Sequence, residues 1–378
     1  MPLKLPHIGK SRLPRVIFLS LVAFNVLAVI VTCASAYAGY LDPAEAAWSA
    51  IAAMCFPAIA VGLIVLGVIN LLIDRRLALI DLAGLILCIG PVLDNFPLNP
   101  CGLYERLAPQ GKKTFTLLTF NSLNLTPIDG IYPDDGTNPV INYIMEQDAD
   151  IVCLQEVKLL KESKKYHITR RQLDQVKIRY PYQVLPTEKN EYLAILSKYP
   201  MKLVTSSFLA PFPTTIQSAA VNIDGTDISL VSVHLASFGL TPDDKSLYRE
   251  ITSSRPNRKE LHEVKSQLLS KIVAATRRHS LEVNAIKQYL DSVSGDAIVC
   301  GDFNDVPGSH ALRSLTRYGL RAVYPEVGFG PAITYNINRF YFRIDHILYR
   351  GNLTPLWIKV GDERLSDHYS LMTRFVID

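Results

Sequence analysis

The six cysteines form no CxxC pair and no zinc-type spacing, so a zinc finger or zinc ribbon is excluded. Charge of one sign is scarce as well. Lys and Arg number 39 against 35 Asp and Glu over 378 residues, too small an excess for a dedicated nucleic-acid binder. No internal repeat and no low-complexity tract interrupts the chain, which is long enough for a sizeable core and more than one unit. Cys153 and Cys300 fall in strand-like apolar runs and read as buried thiols. Cys33, Cys55 and Cys88 lie in an apolar N-terminal part.

That part is where long uncharged runs concentrate. Val16 to Ala38 and Trp48 to Ile73 are each long enough to cross a bilayer, which takes roughly 20 residues. Leu77 to Leu93 is a third, shorter candidate and carries Asp81. Lys4, Lys10, Arg12 and Arg15 precede the first run, and Arg75-Arg76 lie between the second and third. The first connection holds Asp42 and Glu45 and no Lys or Arg. The positive-inside rule then puts the N-terminus and Arg75-Arg76 in the cytoplasm and, with three spans, everything after residue 94 outside. Ala36-Tyr37-Ala38 also fits a signal cleavage site, an alternative that leaves the C-terminal part outside too.

The organisation expected is a membrane region at 1–93, a Pro-containing linker at 94–111 and a soluble domain at 112–378. In the soluble part Asn138 caps a helix with Pro139 at its first position. Asp224-Gly225 joins two strands in a hairpin. Residues 236–257 read as a polar loop, and Arg258–Leu290 as a helix. Many strands with helices between them point to two packed sheets flanked by helices.

Five short polar signatures each close a strand-like run: Thr119-Phe120-Asn121, Leu154-Gln155-Glu156, Val233-His234-Leu235, Gly301-Asp302-Phe303-Asn304-Asp305 and Ser366-Asp367-His368. Singly, each has an ordinary reading. Asp favours turns, Asn121 can cap a strand end, and His234 can be a core histidine. Together they supply what hydrolysis of a phosphate ester needs. Glu156, Asn121 and Asp367 are candidate oxygen ligands for Mg²⁺ or Mn²⁺. His368 is the candidate base, with Asp345 to hold its far nitrogen. Asp302 can orient the water or leaving group, and Asn304 and His234 can donate to phosphoryl oxygens. His346 alternates away from Asp345 and receives no catalytic role. His279 and the remaining histidines read as surface or structural groups. The basic stretch Lys158, Lys161, Lys164, Lys165, Arg170 and Arg171 reads first as a solvated face and second as a polyanion holder.

With these residues in view, the segment from about 112 to 378 resembles the endonuclease/exonuclease/phosphatase superfamily. The resemblance implies a four-layered α/β sandwich and divalent-metal phosphoesterase chemistry. It places Asn121 and Glu156 at metal-binding positions and His234 at a phosphate contact. Asp302 and Asn304 match the family's Asp-x-Asn pair, Asp345 the histidine-orienting aspartate, and Asp367-His368 the terminal ligand and base. The stretch 236–290 is long relative to compact members, so substrate preference does not carry over. The whole chain also resembles bacterial members with membrane spans before this domain.

The expectation is therefore an integral membrane protein of the bacterial inner membrane, its catalytic domain facing the periplasm or exterior. It is expected to be a metal-dependent hydrolase of phosphodiesters or phosphomonoesters, acting on nucleic acid or on a lipid headgroup, bound to the bilayer through its N-terminal helices and with no protein partner. The alternative is an inactive membrane-tethered binding module of the same fold.

Overall fold

The computed structural model describes residues 14–100, 106–157, 160–186, 192–239, 258–337 and 340–378, with side chains from 269 onward in the segment that begins at 258. Lys4, Lys10, Arg12 and Lys158, and most of the polar loop at 236–257, lie outside the described residues.

Helices α1 (Arg15–Ala36) and α2 (Trp48–Ile73) hold 22 and 26 residues. At 1.5 Å per residue they are about 33 and 39 Å long, against a hydrocarbon core of about 30 Å. The two are long and apolar enough to cross a membrane. The third candidate is not one straight helix. It divides into α3 (Arg75–Leu87) and α4 (Ile89–Asn95), bent by 70°. An apolar environment penalises unpaired polar groups, and three polar side chains of the bundle meet one another. Asn70 Nδ2 of α2 reaches Asn25 Oδ1 of α1 at 2.6 Å and Asp81 Oδ2 of α3 at 2.7 Å. Asn70 thus ties three helices together, and Asp81, an anomaly in an apolar run, is its partner on α3.

The rest of the chain forms two six-stranded sheets. The first has the order β13-β14-β1-β2-β4-β3, built from β1 (Lys113–Asn121), β2 (Ile151–Gln155), β3 (Tyr182–Val184), β4 (Leu193–Ser197), β13 (Leu353–Val360) and β14 (Leu371–Ile377). The second has the order β5-β6-β7-β8-β12-β9, from β5 (Met201–Val204), β6 (Ile216–Ile223), β7 (Thr226–His234), β8 (Asp296–Asp302), β9 (Arg321–Ala322) and β12 (Asp345–Arg350). A small hairpin pairs β10 (Tyr335–Ile337) with β11 (Phe340–Phe342).

Side-chain alternation builds the layers. Leu117, Ile151, Cys153, Ala219, Leu230, Ile298 and Cys300 fill the space between the sheets. Leu118, Phe120, Val152 and Leu154 point the other way, onto α5 (Pro139–Gln147) and α6 (Arg170–Arg179). Val231, Val233 and Val299 of the second sheet meet the long helix α7 (Arg258–Ser292) and α8 (His310–Tyr318). The result is the expected four-layered α/β sandwich. Strands β2 and β8 are buried along their whole length, as covered parallel strands must be. Cys153 and Cys300 are free, buried thiols in this core, and a hydrogen bond with Cys153 together with burial raises the Cys300 pKa.

The N-terminal helices dock on the second sheet's helical layer. Gly39 lies so close to α8 that a Cβ there would meet Gly308 O at 1.9 Å. Arg313 Nη2 pairs with Asp94 at 2.9 Å, Ser280 Oγ donates to Asp42 at 3.0 Å, and Asn99 Nδ2 donates to the carbonyls of Pro325 and Gly328 at 2.9 Å each. Residues 94–100, in the stretch expected to be a linker, are held in this seam.

Candidate active site

Strand register gathers the candidate residues at one end of both sheets. In the second sheet the parallel pair β7–β8 sets His234 beside Asp302, and the antiparallel β12 sets Asp345 on Asp302's other side. In the first sheet Asn121 lies beside Gln155, and Glu156 follows immediately. These are the carboxyl ends of both central parallel pairs, where open α/β sheets place their ligands.

Close backbone packing fixes the row. Gly301, at φ +142°, faces Val233, and a Cβ there would lie 2.0 Å from Val233 O. No other residue type lets β7 and β8 approach this closely just before His234 and Asp302. Glu156 (φ 54°) and Asn304 (φ 48°) are left-handed although neither is glycine. Such conformations cost energy and persist where surrounding contacts enforce them. Asn124 N donates to Glu156 O at 2.7 Å, and Asn304 N donates to Asp302 Oδ1 at 2.8 Å while its Nδ2 donates to Leu235 O at 3.0 Å.

The side chains converge as follows. Asn121 Nδ2 donates to Glu156 Oε1 and to Asp302 Oδ2, both at 3.0 Å. His234 Nε2 lies 3.7 Å from each of the same two oxygens. His368 Nδ1 is 2.9 Å from Asp345 Oδ2, and its Nε2 is 3.6 Å from Asp302 Oδ2. Thr334 Oγ1 accepts from the Asp345 backbone at 3.1 Å, and the Tyr335 ring stands edge-on to His368 at 5.0 Å. Asp367 lines the same cavity, its Oδ1 3.2 Å from Ser366 Oγ, which also donates to Asn121 O at 2.8 Å.

Asp302, Asp345 and His368 present ligand atoms within 4.8 Å of one another. This trio does not read as a metal centre, because His368 Nδ1 is already engaged by Asp345. The better donors for a hard cation are the half-buried Glu156 with Asn121 and Asp367, and Asp302 beside them. Among the described residues, no Lys or Arg lines the cavity. Imidazoles are therefore the cationic side chains its carboxylates meet there, and the oxygen-rich donor set fits a divalent cation.

Burial would depress the His368 pKa, but Asp345, Asp302 and Asp367 outweigh it and raise it to about 10. His346 behaves oppositely. Burial and the Arg343 charge push it down to about 3, and its Nε2 hydrogen-bonds Asp305 O at 3.0 Å on the far side of the strand. That placement agrees with its exclusion from the site.

Two contributors were not singled out from the sequence. His279 is buried, not exposed, and holds two site loops at once. Its Nδ1 is 3.2 Å from Asp305 Oδ2 and its Nε2 is 2.7 Å from Ala236 O. Its spacing with Ile272, Thr276, Val283 and Ile286 along the buried face of α7 was the available signal. Met54 of α2 also lines the cavity, and no local pattern marks it. Lys161, Lys164, Lys165, Arg170 and Arg171 are exposed and do not line it.

A family model described as the endonuclease/exonuclease/phosphatase family matches residues 118–368, and one described as a domain of unknown function matches residues 15–95. Among solved structures, the chain is similar to a humanized TDP2 of D. rerio (17% identity, 69% of this chain and 98% of that chain, TM-score 0.44). It is also similar to the human Nocturnin catalytic domain with bound sulfate (16%, 73% and 99%, 0.45). A third is an endonuclease/exonuclease/phosphatase from Bacteroides vulgatus (16%, 71% and 100%, 0.43). No curated protein sequence matches the chain.

Proposed function

Because the chain belongs to the endonuclease/exonuclease/phosphatase family, we propose that it is a membrane-anchored, divalent-metal-dependent phosphoesterase. The observation that carries this reading is the continuous contact from Asp345 through His368 to Asp302, with Asn121, Glu156 and His234 closing around the same carboxylate.

In this reading Asp345 holds Nδ1 of His368, so that Nε2 faces the cavity and Asp302. Asp302, fixed by Asn121 and by the Asn304 backbone, orients a water against phosphorus. His368 takes one proton of that water as the new P–O bond forms. The bond from phosphorus to the leaving oxygen breaks, and that oxygen takes a proton from solvent to leave as an alcohol, while His368 returns its proton to solvent. His234 and Asn304 donate to the phosphoryl oxygens. Glu156, Asn121 and Asp367 would hold the cation. Bound Mg²⁺ or Mn²⁺ supplies positive charge to the phosphoryl oxygens and to the surrounding carboxylates. With Asp302 and Asp367 offset in this way, the raised pKa of His368 would move down toward the range in which an imidazole accepts a proton.

The two span-length helices support the anchor. Arg75-Arg76 at one end of α2, against Asp42 and Glu45 at the other, favour a catalytic domain on the exterior or periplasmic side of a bacterial inner membrane. The test is hydrolysis of bis(p-nitrophenyl) phosphate by the full chain in detergent. Activity is expected with Mg²⁺, lost with EDTA and lost in His368→Ala. A folded protein with no metal-stimulated activity would instead favour a binding module.

A further inference from the structure

The catalytic cavity is not walled by the catalytic domain alone. Met54 lines it together with Glu156, Asp302 and His368, and Met54 belongs to α2, a span-length helix. Phe238, Ile272, Val306, Phe342 and Ile344 line it as well, so the cavity joins an apolar lining to the carboxylates and imidazoles. The arrangement is anchored. Helix α7, which carries Ile272, is tied to the α1–α2 connection by Ser280 to Asp42 at 3.0 Å and by Arg277 to Pro43 O at 3.5 Å.

Depth can be read along α2. Exposed Tyr37, Tyr40 and Trp48 cluster at the outer ends of the spans, as in an interfacial aromatic belt. Met54 lies six residues past Trp48, about 9 Å along the helix axis. The polar zone of one leaflet is roughly 5–8 Å thick, so Met54 sits where headgroups meet acyl chains. Beyond it α2 exposes Val61, Ile64, Val65 and Val68.

We propose, on the phosphoesterase reading above, that the substrate is a membrane lipid whose phosphate ester enters the cavity from the bilayer side past Met54. The phosphate then reaches Glu156, His234 and Asn304, while the apolar tail stays against Met54, Phe238 and Ile272. Grooves that track a polyanion are lined with Lys and Arg, and none lines this one among the described residues.

The experiment uses the full chain with Mg²⁺ and three probes. These are vesicles of phosphatidylethanolamine, phosphatidylglycerol and sphingomyelin, plasmid DNA, and soluble bis(p-nitrophenyl) phosphate. Vesicle lipid is expected to be cleaved at least about tenfold more efficiently per phosphate than DNA. Met54→Glu and, separately, Phe238→Ser should each lower the ratio of vesicle to soluble-diester hydrolysis about tenfold, and Met54→Leu should keep it. Hydrolysis of the soluble diester with DNA equal to or above lipid overturns the lipid assignment and leaves the phosphoesterase reading standing. An unchanged ratio in both Met54→Glu and Phe238→Ser does the same. No hydrolysis of any probe overturns both readings.

Discussion

His368 Nδ1 and Asp345 Oδ2 are 2.9 Å apart although Asp345 is in the second sheet and His368 in the loop leading into the first. Asp345 opens β12 of the second sheet, and His368 lies just before β14 of the first. The pair therefore forms only when the sheets pack, and the bond fixes which imidazole nitrogen faces the cavity. Asp345→Asn is expected to lower kcat for a soluble diester by about 10²–10⁴-fold, the usual worth of a general base, with KM little changed. Circular dichroism should show the fold retained. Turnover near wild type would remove Asp345 from the mechanism.

Gly301→Ala should be far more damaging to the fold than its size suggests. The added methyl would lie 2.0 Å from Val233 O at a φ of +142°, and both objections are backbone ones that no rotamer relieves. A loss of about 3 kcal/mol is expected from overpacking and strain combined. It should be read as a lowered thermal midpoint, with activity falling because His234 and Asp302 are the next residues along the two strands. A stable, fully active Gly301→Ala would show that β7 and β8 can separate without harm.

Much of the site was legible because its chemistry is local in sequence: each signature closes a strand, and register does the rest. Asn138 accepts from Val140 N and Ile141 N, and Asp224-Gly225 turns a hairpin, so caps and turns were legible too. Helix α6 was missed because most of its residues are charged or polar, although the Thr169–Gln172 capping box that starts it was visible. The 70° bend between α3 and α4 was missed because the apolar run continues straight through it. Hydropathy registers composition, whereas the break falls at Gly90-Pro91, where proline has no N–H to give the Leu87 carbonyl. Met54 was beyond reach because its place in the cavity is set by tertiary docking. Its neighbours in the cavity are more than 100 residues away in the chain.

Glu156→Gln should separate metal binding from folding. Glu156 is half-buried and tied to Asn121 at 3.0 Å, a bond a glutamine oxygen can still accept. The substitution removes a charge and leaves the shape. The Mg²⁺ concentration for half-maximal activity is expected to rise by about tenfold or more, with the metal-free thermal midpoint little changed or raised as crowding among Glu156, Asp302 and Asp367 eases. An unaltered Mg²⁺ requirement would move the cation elsewhere.

His279 gives a pH signature distinct from that of the catalytic histidine. Its Nε2 faces a carbonyl oxygen and its Nδ1 faces the Asp305 carboxylate, so both nitrogens are satisfied together only when the ring is doubly protonated. Burial opposes that charge, but Asp305, the Ala236 carbonyl and Glu282 outweigh it and raise the pKa above 6.5. A raised folded pKa gives stability that is complete below the unfolded value and is lost as pH rises through the folded one. His279→Gln should therefore lower the thermal midpoint of the full chain most near pH 6, and the gap to wild type should narrow as pH rises above about 6.5. Thermal unfolding of both proteins across that range, in detergent with EDTA, is the measurement. A gap that is constant with pH would mean that His279 is held neutral and clamps Ala236 and Asp305 without an ion pair.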